Sequence, residues 1–173
     1  MNTIECIKTR SSIRKFSGEK IPEKTIRAII EAATHAPSSG NVQDWEFIVV
    51  QNPETRKKLA EAAYNQNFIN EAPVVIVVCT DIERIKSSYG ERGISLYSIQ
   101  NTAAAIQNLL LASNEYGLGT CWVGAFNERL VKDILILPTK IRPVAIIPVG
   151  YPAEMPRKTP RRKLEEVLHW ERW

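Results

Sequence analysis

The chain has two histidines, His35 and His169, and three cysteines, Cys6, Cys79 and Cys121. No pair of His, Cys, Asp or Glu stands at ligand spacing, so no metal centre is expected. The cysteines are odd in number, widely spaced and mostly inside apolar runs. That argues against a disulfide framework and for reduced core thiols in the cytoplasm. Serine-nucleophile hydrolysis finds no support, because no G-x-S-x-G elbow is present and His35 ends a helix. G-x-G-x-x-G is missing as well. Gly117-Leu118-Gly119 follows a helix, the wrong context for a dinucleotide fingerprint. The first ten residues lack the apolar core of a signal peptide. Internal repeats and low-complexity segments are absent.

What remains is an ordinary globular composition. The 173 residues, 44% hydrophobic and 24% charged, suit a single domain that buries roughly two thirds of its unfolded surface. The net charge of +4 is too mild to imply general polyanion binding. Its distribution says more: Arg10, Arg14 and Lys15 lie near the start, while Arg157, Lys158, Arg161, Arg162 and Lys163 crowd the end.

The stretch Ile94–Phe126 looks the most buried. Ile99, Ala103, Ile106 and Leu110 recur at helical spacing, and neighbouring Ala and Leu residues widen that face. Gln100, Asn101, Thr102, Gln107 and Asn108 interrupt it too often for a membrane span. Gly117 or Gly119 ends this central helix, and Thr120–Ala125 reads as a short buried strand.

The remaining pattern predicts helices over Thr3–Lys8, from Pro22 to about His35, over Pro53–Tyr64, and from an Asn127 cap to about Leu135. Strands are expected at Trp45–Gln51, Pro73–Thr80 and Arg142–Gly150. The second is apolar on both faces and therefore central, and Pro148 marks an edge or irregularity in the third. Ser38–Asn41 is a loop, Asn65–Glu71 a polar connection, and Asp81–Gly93 a charged, irregular segment. Four strands among six or so helices make an α+β domain around one sheet. From Tyr151 the chain becomes Pro-rich and basic, and Trp170 and Trp173 are expected to pack on the body or on another subunit.

Arg10, Ser11, Ser12 and Arg14 fit a phosphate site, since guanidinium pairs and hydroxyls match phosphate oxygens. A solvated basic turn is the alternative. Arg161 and its neighbours offer a second cationic arm or a plain surface charge run. Ser38, Ser39, Asn41 and Gln43 collect donors and acceptors suited to a heterocycle edge, or are simply turn residues. A chain without catalytic side chains, but with a phosphate site and small-residue backbone, fits an enzyme whose cofactor does the chemistry.

Five segments occur in order: R-S-S-I-R-K-F, P-S-S-G-N-V-Q-D-W, E-A-P-V-V-I-V-V, A-A-A-I-Q-N-L-L-L-A running into G-L-G-T-C-W-V-G, and R-R-K-L-E-E-V-L-H-W. Together they resemble the FMN-dependent nitroreductase family across nearly the whole chain. The resemblance implies an α+β fold with a mixed, mostly antiparallel sheet flanked by helices, a long buried core helix and a C-terminal arm at 151–173. It also implies an intertwined homodimer with FMN at the subunit interface, and ping-pong electron transfer from NADH or NADPH to nitroaromatic, quinone or other conjugated acceptors. Reductive dehalogenation within the same family, a flavin-storage module and, more distantly, nucleic-acid binding are the rival expectations.

Carried over by position, Arg10, Ser11, Ser12, Arg14 and Arg161 look like contacts to the FMN phosphate. Pro37, Ser38, Ser39 and Asn41 look like the segment that reaches the partner's flavin. Val123 and Gly124, with Trp122 alongside, are similar to the family's backbone edge near flavin N5, and Gln66 to a contact at the ring's pyrimidine end. Three positions depart from the family pattern: Val42 where Arg is common, Asp44 where Pro is common, and Asn101 where Asp is usual. The chain also lacks a long helical excursion over the substrate, which leaves Asp81–Gly93 as the candidate lid.

Overall fold

A computed structural model describes residues 2–155 and 158–173; Arg157 of the basic cluster therefore lies outside the described residues. The centre of the molecule is β2 (Val74–Asp81), whose eight side chains are all buried. It pairs antiparallel with β1 (Trp45–Val50) on one side and β4 (Ile141–Gly150) on the other. A two-residue β3 (Gly119–Thr120) completes a sheet of order β1-β2-β4-β3. A parallel pairing enters through the bridge between Ser12 and Thr120.

Because side chains alternate across a strand, β2 supplies two cores at once. Val74, Ile76 and Val78 face a cluster with α2 (Glu23–Thr34) and α6 (Ser98–Glu115). Val75, Val77 and Cys79 face another with α3 (Pro53–Ala62) and α7 (Glu128–Leu135). The expected helix starts hold: Asn52 Oδ1 accepts from Thr55 N–H, and Asn127 Oδ1 accepts from Leu130 N–H. A short α1 (Thr3–Thr9) docks on the C-terminal end of α6, where Asn114 Nδ2 donates to the Cys6 carbonyl.

Several sequence expectations need correction. The polar connection 65–71 contains α4 (Phe68–Glu71), with Ile69 fully buried. Asp81–Gly93 is not irregular but a capped helix, α5 (Ile82–Arg92), broken at Gly90 and continued by a π-turn over Gly93–Tyr97. Its Ile85 is fully buried, so the segment is anchored to the body. Ile99 is 39% exposed; the inward face of α6 is instead Ser98, Asn101, Thr102, Ala105, Ile106, Leu109, Leu110 and Ser113.

The strand expected at Thr120–Ala125 pairs only over Gly119–Thr120, with a separate bridge from Val123 to Ile146. Pro148 explains part of this. It lies inside the sheet, where its carbonyl accepts from Cys121 N–H, and a strand residue presents its N–H and C=O on the same side. The missing proline donor therefore faces the line of β3 just where regular pairing stops. The register shift in β4 comes elsewhere, between Ala145 and Pro143.

Trp170 and Trp173 do not pack on the body: they are 82% and 100% exposed, and Trp173 stacks on His169. Among the described residues, no helix is long and apolar enough to cross a membrane.

Asp81 joins the end of β2 to α5 by accepting from Arg84 N–H (3.1 Å) and from Lys140 Nζ (2.7 Å). Burial works to raise its carboxyl, but the bonds from Lys140 and Arg84 outweigh it and hold the group below the usual carboxylate range. The stability tied to this charge is present above the unfolded carboxyl's pKa, about 4, and is lost as pH falls through the lower folded value. D81A should cost about 1–2 kcal/mol at neutral pH, a fall in Tm of roughly 2–8 °C. The gap from wild type should close below about pH 4. Thermal unfolding of both proteins across pH 2–8 measures this; a pH-independent gap would contradict it.

Candidate functional site

The segment Arg10–Phe16 leaves α1 and runs between two backbones. Ile13 N–H donates to the Thr120 carbonyl on one side, while Ser17 N–H donates to Tyr151 O and Ala153 N–H to Lys15 O on the other. Glu154 Oε1 accepts from the Arg14 backbone N–H (3.0 Å). The Arg14 guanidinium lies over the Phe68 ring of α4, 5.7 Å from its centroid. These contacts expose Arg10, Ser11, Ser12 and Arg14 to one cleft of about 740 Å³, which Arg161 also lines.

Lys8, Lys158, Thr159 and Glu154 complete the wall. Pattern reading missed Lys8 as a wall residue, because its place follows only from the docking of α1. Five cations thus face one carboxylate, and none of them is in an ion pair among the described residues. Such a wall of guanidinium, ammonium and hydroxyl groups suits a phosphate dianion.

Val123 uses both backbone groups on Ile146, at 3.0 Å each way. Gly124 has open space where a Cβ would point, and Trp122 is 42% exposed. Gln66 uses its amide nitrogen to hold this loop, donating to Ala63 O (2.9 Å) and Ala125 O (3.1 Å). Burial pushes the Cys79 thiol up to about 12 and raises that of Cys121 despite the opposing charges of Arg14 and Arg10.

Pro37, Ser38, Ser39 and Asn41 lie elsewhere. Ser39–Asn41 forms a 3-10 turn anchored to α6, where Ser39 N–H donates to Asn101 Oδ1 (2.9 Å). Asn101 is thirteen residues from Asn114, the residue that holds α1, so about 20 Å of helix separates this loop from the Arg10 segment.

Two of the three departures from the family pattern meet here. Asn101 Nδ2 donates to Asp44 Oδ1 (2.6 Å), and Thr80 Oγ1 donates to Asp44 Oδ2 (2.6 Å). The third position, Val42, offers its carbonyl to Arg84 Nε (2.7 Å). Tyr89 of α5 packs so closely on Gly40 that a Cβ there would collide with its hydroxyl. α5 thus braces the loop through Arg84 and Tyr89. The sequence signal for the Asp44–Asn101 contact was two separate departures; only the fold brings them together.

The chain matches the model of the Nitroreductase family over residues 7–69 and 62–151. It belongs to the nitroreductase family. An NADH dehydrogenase of Thermus thermophilus is 34% identical over 188 residues, covering 93% of this chain and 92% of its own. FMN reductase (NADPH) of Bacillus subtilis is 30% identical over 181 residues, covering 97% of this chain and 73% of its own. The structure of NADPH:FMN oxidoreductase from Vibrio harveyi, complexed with NAD+, superimposes with a TM-score of 0.91 at 29% identity. It covers all of this chain and 78% of its own. This nitroreductase-family chain therefore keeps the shared body of larger relatives.

Gly119 fixes how close the basic segment comes to the sheet. A Cβ at that position would lie 2.6–2.8 Å from three atoms of Ile13, the residue between Ser12 and Arg14. G119A must push the segment outward, at a cost of about 1–3 kcal/mol. Urea unfolding should show the loss as a lower midpoint with unchanged slope; an unshifted midpoint would show that the segment yields freely.

Proposed function

We propose that the protein is an FMN-dependent NAD(P)H oxidoreductase that reduces nitroaromatic, quinone or other conjugated acceptors by a ping-pong mechanism. The observation that carries this reading is the cleft in which five cations and two serines converge from both ends of the chain. Family membership and the names of the flavin reductases among its relatives support it.

Arg10, Ser11, Ser12, Arg14 and Arg161 bind the FMN phosphate as a dianion, and Lys8 and Lys158 add to the field. Gly124 leaves its backbone open to the ring, while Gln66 and the Val123–Ile146 pairing keep that edge fixed. Trp122 stands exposed at the same loop. When bound, the flavin supplies the hydride chemistry, taking electrons from the nicotinamide and giving them to the acceptor. The side chains bind and orient, and burial disfavours the thiolate at Cys79 and Cys121.

The protein works as a homodimer in which Pro37, Ser38, Ser39 and Asn41 complete the partner's site. This reading is supported by the ~20 Å of helix between that loop and the phosphate cleft, and by an exposed apolar arm bearing Leu164, Val167, Leu168, Trp170 and Trp173. The buried free thiols suit a cytoplasmic setting.

R14A should weaken FMN by roughly one to two decades, the effect of losing one charge-assisted bond of about 1.5–3 kcal/mol. Riboflavin, which lacks the phosphate, should be little affected. Equal losses for both flavins would sink the phosphate assignment. Removing residues 164–173 should lower dimer stability and flavin retention together, because a ligand bound across an interface stabilises it. A truncated monomer that holds FMN normally would exclude the shared site. Double-reciprocal plots with NADH and a quinone should be parallel; intersecting lines would replace the ping-pong scheme.

A further inference from the structure

The loop that carries Ser38–Asn41 turns through the left-handed region: Gly40, Asn41 and Gln43 all have φ between +53° and +55°. Glycine and asparagine adopt such angles readily, whereas a residue such as Gln43 holds one only where its surroundings impose it. Most of the imposed contacts are exposed, such as Gln43 N–H to Ser38 Oγ (3.0 Å) and Gln43 Nε2 to Asn41 Oδ1 (3.1 Å). The buried one runs through Asn101, which is 3% exposed, to Asp44 and Thr80, both fully buried.

The order of bonds in that chain is fixed by its ends. Ser39 N–H and Oγ need an acceptor and find Asn101 Oδ1. The Asn101 nitrogen must therefore point at the other neighbour, and that neighbour must accept. Asp44 does, on one oxygen, while its second oxygen takes the Thr80 hydroxyl. The Asp44 backbone carbonyl also accepts from Asp81 N–H (2.7 Å), which locks the residue to the end of β2.

We infer that Asp44 is a positioning residue: acting through Asn101, it sets the Ser39 amide, and with it the shape in which the loop meets the partner's cofactor. This rests on the functional reading above. The bonding order has one equivalent alternative. If the carboxylate and the amide change places, Thr80 donates to the amide oxygen at 44, the amide nitrogen at 44 donates to the carboxylate at 101, and Ser39 N–H donates to that same carboxylate. Every group stays satisfied. Placing carboxylates at both positions leaves two acids face to face in a buried site, where one of them must keep a proton.

The test is a cycle of wild type, D44N, N101D and D44N/N101D. FMN dissociation constants would be measured from pH 5 to 8, and amide hydrogen exchange at Ser39 with and without flavin. N101D should bind FMN at least tenfold more weakly at pH 8, with affinity recovering toward pH 5 and Ser39 exchange accelerated even without flavin. D44N should fall between N101D and wild type. D44N/N101D should return to within about threefold of wild type, with a flat pH profile. If N101D does not fold, a folded, flavin-binding D44N/N101D still supports the inference, and a double variant that also fails overturns it. It is equally overturned if N101D binds FMN normally, if the double variant is no better than N101D, or if Ser39 exchange is unchanged in N101D. A wild-type protein that takes up no FMN would instead sink the functional reading, and the inference with it.

Discussion

A strand that is apolar on both faces has nowhere to sit but the middle, and β2 imposes that condition on everything around it. With all eight of its side chains buried, it needs a strand on each edge and a layer of helices on each face. Val74, Ile76 and Val78 demand α2 and α6; Val75, Val77 and Cys79 demand α3 and α7. The loops at the ends of these elements are thereby fixed in space. The basic Arg10–Arg14 segment comes to lie beside β3 because α1 has been docked on α6, and the Ser38–Asn41 turn lies at the far end because β1 must start beside the end of β2.

The same arrangement explains how polar groups come to be buried so deeply. Asp44 precedes Trp45, the residue that pairs with Thr80 where β1 starts and β2 ends. The Asp44 side chain reaches α6 at Asn101 without leaving the core. A buried carboxylate is costly unless it is fully hydrogen-bonded, and here it accepts from a hydroxyl and an amide. Removing either donor alone would leave a charge with too few partners, so a change at Asp44 or Asn101 calls for a matching change at the other.

Much of this was legible from residue patterns. The strands of V-V-I-V-V-C and V-A-I-I-P-V, the Asn127 cap and the amphipathic α2 are local signals, and each appears where periodicity and capping put it. Arg10, Ser11, Ser12 and Arg14 are likewise a local pattern, and Arg161 lines the same cleft. What escaped was tertiary. α5 has few apolar residues, and Ile85 is the one it fully buries, so its pattern resembled a charged linker. Ile99 looked inward by spacing, yet Asn101 took the buried face because Ser39 and Asp44 meet it there. Thr102 followed by bonding its hydroxyl back to Ser98 O and Ile99 O of its own helix. The shortness of β3 depends on a proline in another strand. The Asp44–Asn101 bond spans 57 residues, and no local window contains both ends.

The three cysteines carry one more consequence. Each is buried, and burial holds Cys79 near 12 and Cys121 above its ordinary value. Peroxide attacks thiolates, and a group of pKa about 12 is ionised in only about one molecule in 100,000 at pH 7. At Cys79 and Cys121 the core thus keeps sulfur where a compact apolar side chain is wanted, with little thiolate for an oxidant to attack.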